Sequence, residues 1–170
     1  MRTFKKIIKI IIFVIIFAPC CLVAISNIVD DIHRKKLIKV RQYILTSVVI
    51  PINRYYDDNG EYPYDLDVLI NKGYFNGWSH PNPFSISNKP IRDEPFDNSN
   101  APGNFTYLPI KENHKITGYF IITYGKADRL DVDGDGKGDK VFDIIENGVW
   151  IPEPWARDRL PLIAKLLKDK

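Results

Sequence analysis

Between Asp128 and Asp143 the chain places six aspartates, at positions 128, 131, 133, 135, 139 and 143, among three glycines. Only Arg129, Lys137 and Lys140 oppose them, so the stretch carries a local charge of −3 in a chain whose formal net charge is +3. Carboxylates gathered this closely call for a counter-charge. Hard oxygen donors at alternate positions of a glycine-rich turn suit calcium, which takes roughly six to eight oxygens at about 2.3–2.6 Å and tolerates irregular geometry. Asp128, Asp131, Asp133, Asp135, Asp139 and Asp143 are therefore the expected metal ligands, and calcium the expected cofactor. The run D-V-D-G-D-G from Asp131 to Gly136 follows the first half of a helix-loop-helix calcium loop, but Phe142 stands where that loop holds its bidentate Glu. Asp and Gly also fill solvated tight turns, which is the alternative reading. Magnesium and manganese share the same donor chemistry, although the ligand number favours the larger ion.

Other chemistries find little support. His33, His80 and His114 are scattered, and none belongs to an H-E-x-x-H or other zinc spacing. The chain has no Gly-rich phosphate loop and no G-x-S-x-G elbow, and its two cysteines, Cys20 and Cys21, lie in the apolar amino-terminal run. Asp93, Glu94 and Asp97 form one carboxylate patch in a proline-rich loop, a weak basis for acid–base work on a sugar. The chain reads as a non-enzyme with no small-molecule substrate. Arg34-Lys-Lys-Leu-Ile-Lys39 reads as a solvated or lipid-facing helix face rather than a nucleic-acid site.

The elements that must hold the acidic loop follow from periodicity. Phe105 to Pro109, Ile116 to Tyr124 and Val141 to Ile145 are rich in β-branched and aromatic residues and read as strands, the acidic loop joining the last two. From Asn27 to about Asp58 the apolar residues Leu37, Val40, Ile44, Val48, Pro51 and Tyr55 recur at helical spacing. Pro51 removes a backbone donor and should bend that helix or restart it. Gly60 supplies a left-handed stop, and Asp65 can cap a short helix whose Leu66, Leu69 and Ile70 face inward before Gly73 ends it. Residues 76–104 read as irregular, Val149 to Trp155 as extended, and Leu160 to Lys168 as a short, basic, weakly amphipathic segment lying on the domain or, alternatively, touching anionic lipid.

The amino terminus speaks to location. Arg2, Lys5, Lys6 and Lys9 precede or enter an apolar run from Ile7 to Ile25. About 19 helical residues nearly cover a hydrocarbon core of about 30 Å. The expectation is a single-pass anchor with its basic tail in the cytoplasm and everything from Asp30 onward exported. Cleavage after Ala24-Ile-Ser26, or lipidation at Cys20 within Phe17-Ala-Pro-Cys20, are the alternatives. The exported part has no cysteine, so a core or a metal must hold it together.

The order of these features resembles the major pseudopilins of type II secretion, members of the type IV pilin-like family. Tyr55-Tyr-Asp-Asp-Asn-Gly-Glu-Tyr-Pro63 is similar to the family's Y-x-x-D-N-G-x-Y-P helix end, and Lys72-Gly-Tyr-Phe75 to its following turn. Arg92-Asp-Glu-Pro-Phe-Asp-Asn98 resembles its K-D-P-W-G-N segment with one residue inserted, and the acidic loop resembles its calcium loop. The family's Gly-Phe processing site and helix Glu have no counterpart between Phe4 and Phe17. The resemblance implies an α+β, pilin-like fold: a long amino-terminal helix, membrane-embedded in its first half, carrying a small antiparallel β-sheet head. Residues 1–26 are then anchor or signal, 27–58 the amphipathic helix, 59–148 the head and 149–170 an extension. It also implies a structural protein of the bacterial inner membrane with its carboxy-terminal domain in the periplasm. The expected partners are the membrane and further copies or other pilin-like subunits. The competing expectation is an exported or lipidated binding module that recognises a protein or glycan through residues 76–104 and the tryptophans.

Overall fold

The computed structural model describes the backbone of residues 2–97, 101–125 and 130–169. The chain divides into two compact units, Met1–Lys35 and Lys36–Lys170. The expected extension over 149–170 belongs to the second unit.

Helix α1 (Arg2–Tyr43) leads through one π-helical turn (Ile44–Val48) into α2 (Val49–Asn59). The wide turn stands just ahead of Pro51, which has no N–H for the Ser47 carbonyl, and within the turn Val49 N–H donates to the Ile44 carbonyl five residues back. The sequence's choice between a bend and a restart thus resolves as a π-turn followed by a new α-helical run. Leu37, Val40, Ile44, Val48, Pro51 and Tyr55 are all buried, as their spacing predicts. Gly60 at φ 72° closes α2, its N–H donating to the Tyr56 carbonyl at 2.8 Å.

Side chains ahead of Phe17 lie outside the described residues. Phe17, Leu22, Val23, Ile25, Ile28, Val29 and Ile32 are exposed apolar side chains of the first unit. Among the described residues no helix is long and apolar enough to cross a membrane.

The second unit is built on one antiparallel meander, β1 (Phe105–Glu112), β2 (Lys115–Tyr124), β3 (Val141–Glu146) and β4 (Val149–Ile151), paired in chain order. This is the α+β arrangement with an antiparallel sheet that the sequence predicts. Two-residue turns close β1–β2 and β3–β4, through Asn113-His114 and Asn147-Gly148, every one of these residues at positive φ. That geometry matches the twist of the flanking strands. Helix α3 (Asp67–Asn71) is capped as expected, Asp65 Oδ1 accepting the Val68 N–H at 2.9 Å, although Val68 is buried and Ile70 only half-buried. After β4 the chain does not stay extended to Trp155. Pro154 fits the first turn of α4 (Glu153–Ala156), which runs through a 3₁₀ turn (Arg157–Arg159) into α5 (Leu160–Lys168).

The sheet separates two clusters. Phe105, Tyr107, Tyr119, Ile121 and Ile145 pack with the helical stripe and with Leu66, Leu69 and Ile91. Leu108, Phe120, Ile122 and Ile144 pack with Leu130, Val132, Ala156 and Ile163. The Tyr62-Pro-Tyr64 corner is tied to the first cluster, because the buried Tyr107 hydroxyl donates to the Pro63 carbonyl at 2.8 Å. Removing that donor strands a buried acceptor. Tyr107→Phe should therefore cost about 1–3 kcal/mol, read as a lower urea midpoint with an unchanged denaturant slope.

Candidate metal centre

The acidic loop leaves β2 and returns to β3, and its described part begins at a bridge between Leu130 and Asp139. Asp139 N–H donates to the Leu130 carbonyl at 2.7 Å, which brings the loop's two ends together. Asp139 is fully buried, and its Oδ2 accepts the N–H groups of Val132 at 2.6 Å and Asp133 at 3.3 Å. Asp131 spreads both oxygens across the turn, Oδ1 to Gly134 N–H at 2.8 Å and Oδ2 to Gly136 N–H at 3.0 Å. Gly134 and Gly136 both have positive φ, 76° and 87°, a conformation that folds the backbone inward around the carboxylates.

Asp131, Asp133 and Asp139 come together, each offering an oxygen within 4.8 Å of the others. Burial pushes the Asp133 carboxyl above its ordinary value, the neighbouring carboxylates of Asp139, Asp135 and Asp131 add to the rise, and the Asp135 N–H opposes it. The spacing fits a sphere of oxygen ligands at about 2.3–2.6 Å from a central ion. Carboxylate oxygens carry two lone pairs each, so those that accept a loop N–H can still turn another toward a cation. The donor set is all oxygen, as calcium requires.

The other predicted ligands are placed differently. Asp128 lies outside the described residues. Asp135 stands apart from the cluster; its Oδ1 accepts the Lys137 N–H at 2.8 Å, and its other oxygen lies 3.9 Å from the Lys137 ammonium. Asp143 lies outside this cluster; it is buried too, and it meets a different charge. Its oxygens accept from Arg41 Nε at 2.7 Å and Arg41 Nη2 at 2.6 Å, and Oδ1 also takes the Trp150 indole N–H at 2.7 Å. The guanidinium lies over the Trp150 ring at 4.5 Å and the Phe142 ring at 5.3 Å. Closeness in sequence made Asp143 look like a sixth ligand, but on a strand it faces α1 rather than the loop. Its true partner is 102 residues away and bears no local signal.

Several of the remaining candidates serve packing. Asp93 Oδ1 accepts the Tyr107 N–H at 2.8 Å and joins the 76–104 segment to β1. His80 stacks on Tyr43 with ring centres 4.4 Å apart, and His114 sits at a hairpin tip. Trp78 packs edge-on against Phe75 and Phe105, while Trp155 is exposed. A groove of about 710 Å³ borders the acidic loop, lined by Pro95, Phe96, Asp133 to Asp135, and Leu167 and Lys168. No family model matches the chain, and neither a characterised protein nor a solved structure matches it.

Asp143 and Asp133 make separable predictions. Asp143→Ala leaves the Arg41 guanidinium without its carboxylate in a largely buried setting and should cost about 3–5 kcal/mol with or without calcium. Asp133→Ala should lower stability only when calcium is present, removing up to about 2.7 kcal/mol at a hundredfold excess of ion over its dissociation constant. Thermal unfolding of both variants in calcium and in chelator reads the difference.

The raised Asp133 carboxyl sets a pH dependence of its own. Between its ordinary value of 3.8 and the raised value, the folded state holds the proton more tightly than the unfolded state. Its contribution is then fully present below 3.8 and is lost as pH rises through the raised value. In chelator, Asp133→Asn should unfold at a higher temperature than the parent near neutrality, and the gap should close as pH falls towards 3.8. In calcium the order should reverse, since the carboxylate is then a ligand.

Proposed function

We propose that the chain is a membrane-anchored, pilin-like structural protein of the bacterial envelope, resembling a type II secretion pseudopilin. Its head faces the periplasm and its acidic loop is stabilised by calcium. The observation that carries this reading is the order of elements. A 42-residue amino-terminal helix leads, through α2 and the Tyr-Pro corner, into an antiparallel meander whose β2–β3 connection gathers three carboxylates. The apolar run that begins at Ile7, together with the exposed Phe17, Leu22, Val23 and Ile25, supports the anchor. Asp131, Asp133 and Asp139 would hold the ion, whose chemistry is charge neutralisation and loop ordering rather than catalysis. The partners in this reading are the inner membrane and other subunits of the same kind.

Location and assembly can be read in one experiment. In a bacterial host the tagged full-length chain should sediment with the inner membrane, resist carbonate extraction and lose its carboxy-terminal tag when spheroplasts meet external protease. Lysine cross-linking before extraction should trap homo-oligomers. A chain recovered in the soluble cytoplasm, or a tag protected from external protease, would overturn the reading.

A further inference from the structure

The carboxy-terminal helix α5 was not expected to concern the acidic loop, yet the two are packed together. Gly134 sits so near α5 that a side-chain carbon added to it would lie 3.5 Å from the Ala164 methyl. Val132, held by the hydrogen bond from its N–H to Asp139, is fully buried in the same cluster as Ala156 and Ile163. One buried carboxylate thus fixes the loop backbone, and the loop backbone presents Val132 to the cluster that α5 joins through Ile163.

Besides the loop, α5 rests on the outer sheet face, where Ile163 shares a cluster with Leu108, Phe120 and Ile122, and Arg159 at its amino-terminal cap donates to Glu146 at 2.9 Å. The helix is nine residues long with no side-chain hydrogen bond capping its first turn, and helices shorter than roughly 12–15 residues are marginal alone in water. Ile163 is its buried anchor, with Leu160, Leu166 and Leu167 only partly covered. Its last turn borders the groove of about 710 Å³ that separates Leu167 and Lys168 from Asp133 and Asp135, so the far end is not sealed. Its helical form therefore depends on docking.

We propose that α5 is a latch whose docking reads the order of the acidic loop: when residues 130–139 are held, α5 covers the outer sheet face, and when they loosen, α5 undocks and unwinds. The coupling stands on the packing between the loop and α5. That a divalent cation is the natural input rests on the calcium reading above. Coupling between two sites is reciprocal, so detaching α5 should also weaken the loop's hold on its ion.

Hydrogen exchange followed by mass spectrometry on the full chain in neutral detergent tests this, in calcium, in chelator, and for Asp139→Asn and Ile163→Ala. In the parent, chelation should speed exchange by about tenfold or more in both 130–139 and 160–168 while β1, β2 and β3 keep their protection. Asp139→Asn should release both segments even in calcium, and Ile163→Ala should release α5 and lower calcium affinity several-fold. Should 160–168 stay protected while 130–139 is released, or 130–139 stay protected in Asp139→Asn, the latch is refuted. Should chelation change nothing while Asp139→Asn releases both segments, the latch stands and the calcium reading fails. If Asp139→Asn also exposes the strands, Val132→Ala takes its place, with release of α5 expected and continued protection fatal to the proposal.

Discussion

The sheet must be covered on both faces, and the rest of the second unit follows from that constraint. Along β2 every residue from Gly118 to Tyr124 is buried, so neither face of that strand is left to water. Its odd members, Tyr119 and Ile121, join the cluster under the helical stripe, and its even members, Phe120 and Ile122, join the cluster under Val132 and Ile163. An antiparallel meander usually leaves one face solvated. Here the first face is covered by a long helix that comes before the sheet in the chain, and the second by a loop and a short helix that come between and after the strands. The first cover is robust and the second is assembled from small parts.

Covering both faces also buries charge, and the two covers solve that problem in different ways. Asp143, beneath the helical side, is met by a bidentate guanidinium and an indole N–H, a direct pairing of opposite charges with the remaining donor capacity used by aromatic rings. That pairing fixes α1 to β3 and β4 at one point. Asp139, beneath the loop side, has backbone N–H groups from Val132 and Asp133 on one oxygen and two other carboxylates nearby. The first arrangement is complete within the protein. The second gathers three carboxylates around backbone donors.

Much of this was legible in the sequence, and the parts that were not share a cause. Helical spacing from Leu37 to Tyr55 located the stripe, and Gly60 and Asp65 marked the ends of elements because caps and left-handed glycines act within a few residues. The strands were found because β-branched and aromatic residues are dense in them. β2 gave no alternating pattern, since a strand buried on both faces reads as one continuous apolar run. Asn147-Gly148 is a strong hairpin signal that locates β4, while the prolines that follow argue for extended chain and mask it. The partner of Asp143 was invisible, because a lone arginine on a helix carries no mark of the strand it will meet. Grouping carboxylates by closeness in sequence joins Asp131, Asp133 and Asp139, which the fold also brings together, with Asp143, which the fold pairs with Arg41. In a strand the alternation of side chains, not their spacing, decides which face a residue serves.

The same packing bears on how the protein meets others. A recognition loop needs side chains free to engage, and the 76–104 segment has its main apolar groups committed: Ile91 is fully buried, Trp78 is wedged against Phe105, and Asn82 and Asn104 bond to each other out of solvent. Ile86 stands out as a fully exposed apolar side chain on its described part. The segment therefore behaves as a strap over the sheet's edge, which weakens the case for a binding module built on it. Exposed apolar surface is instead concentrated on the first unit, where Ile25, Ile28, Val29 and Ile32 share one side of α1 at helical spacing. A stripe of that kind needs lipid or another helix against it. The anchored or assembled chain proposed above would give that stripe such a partner.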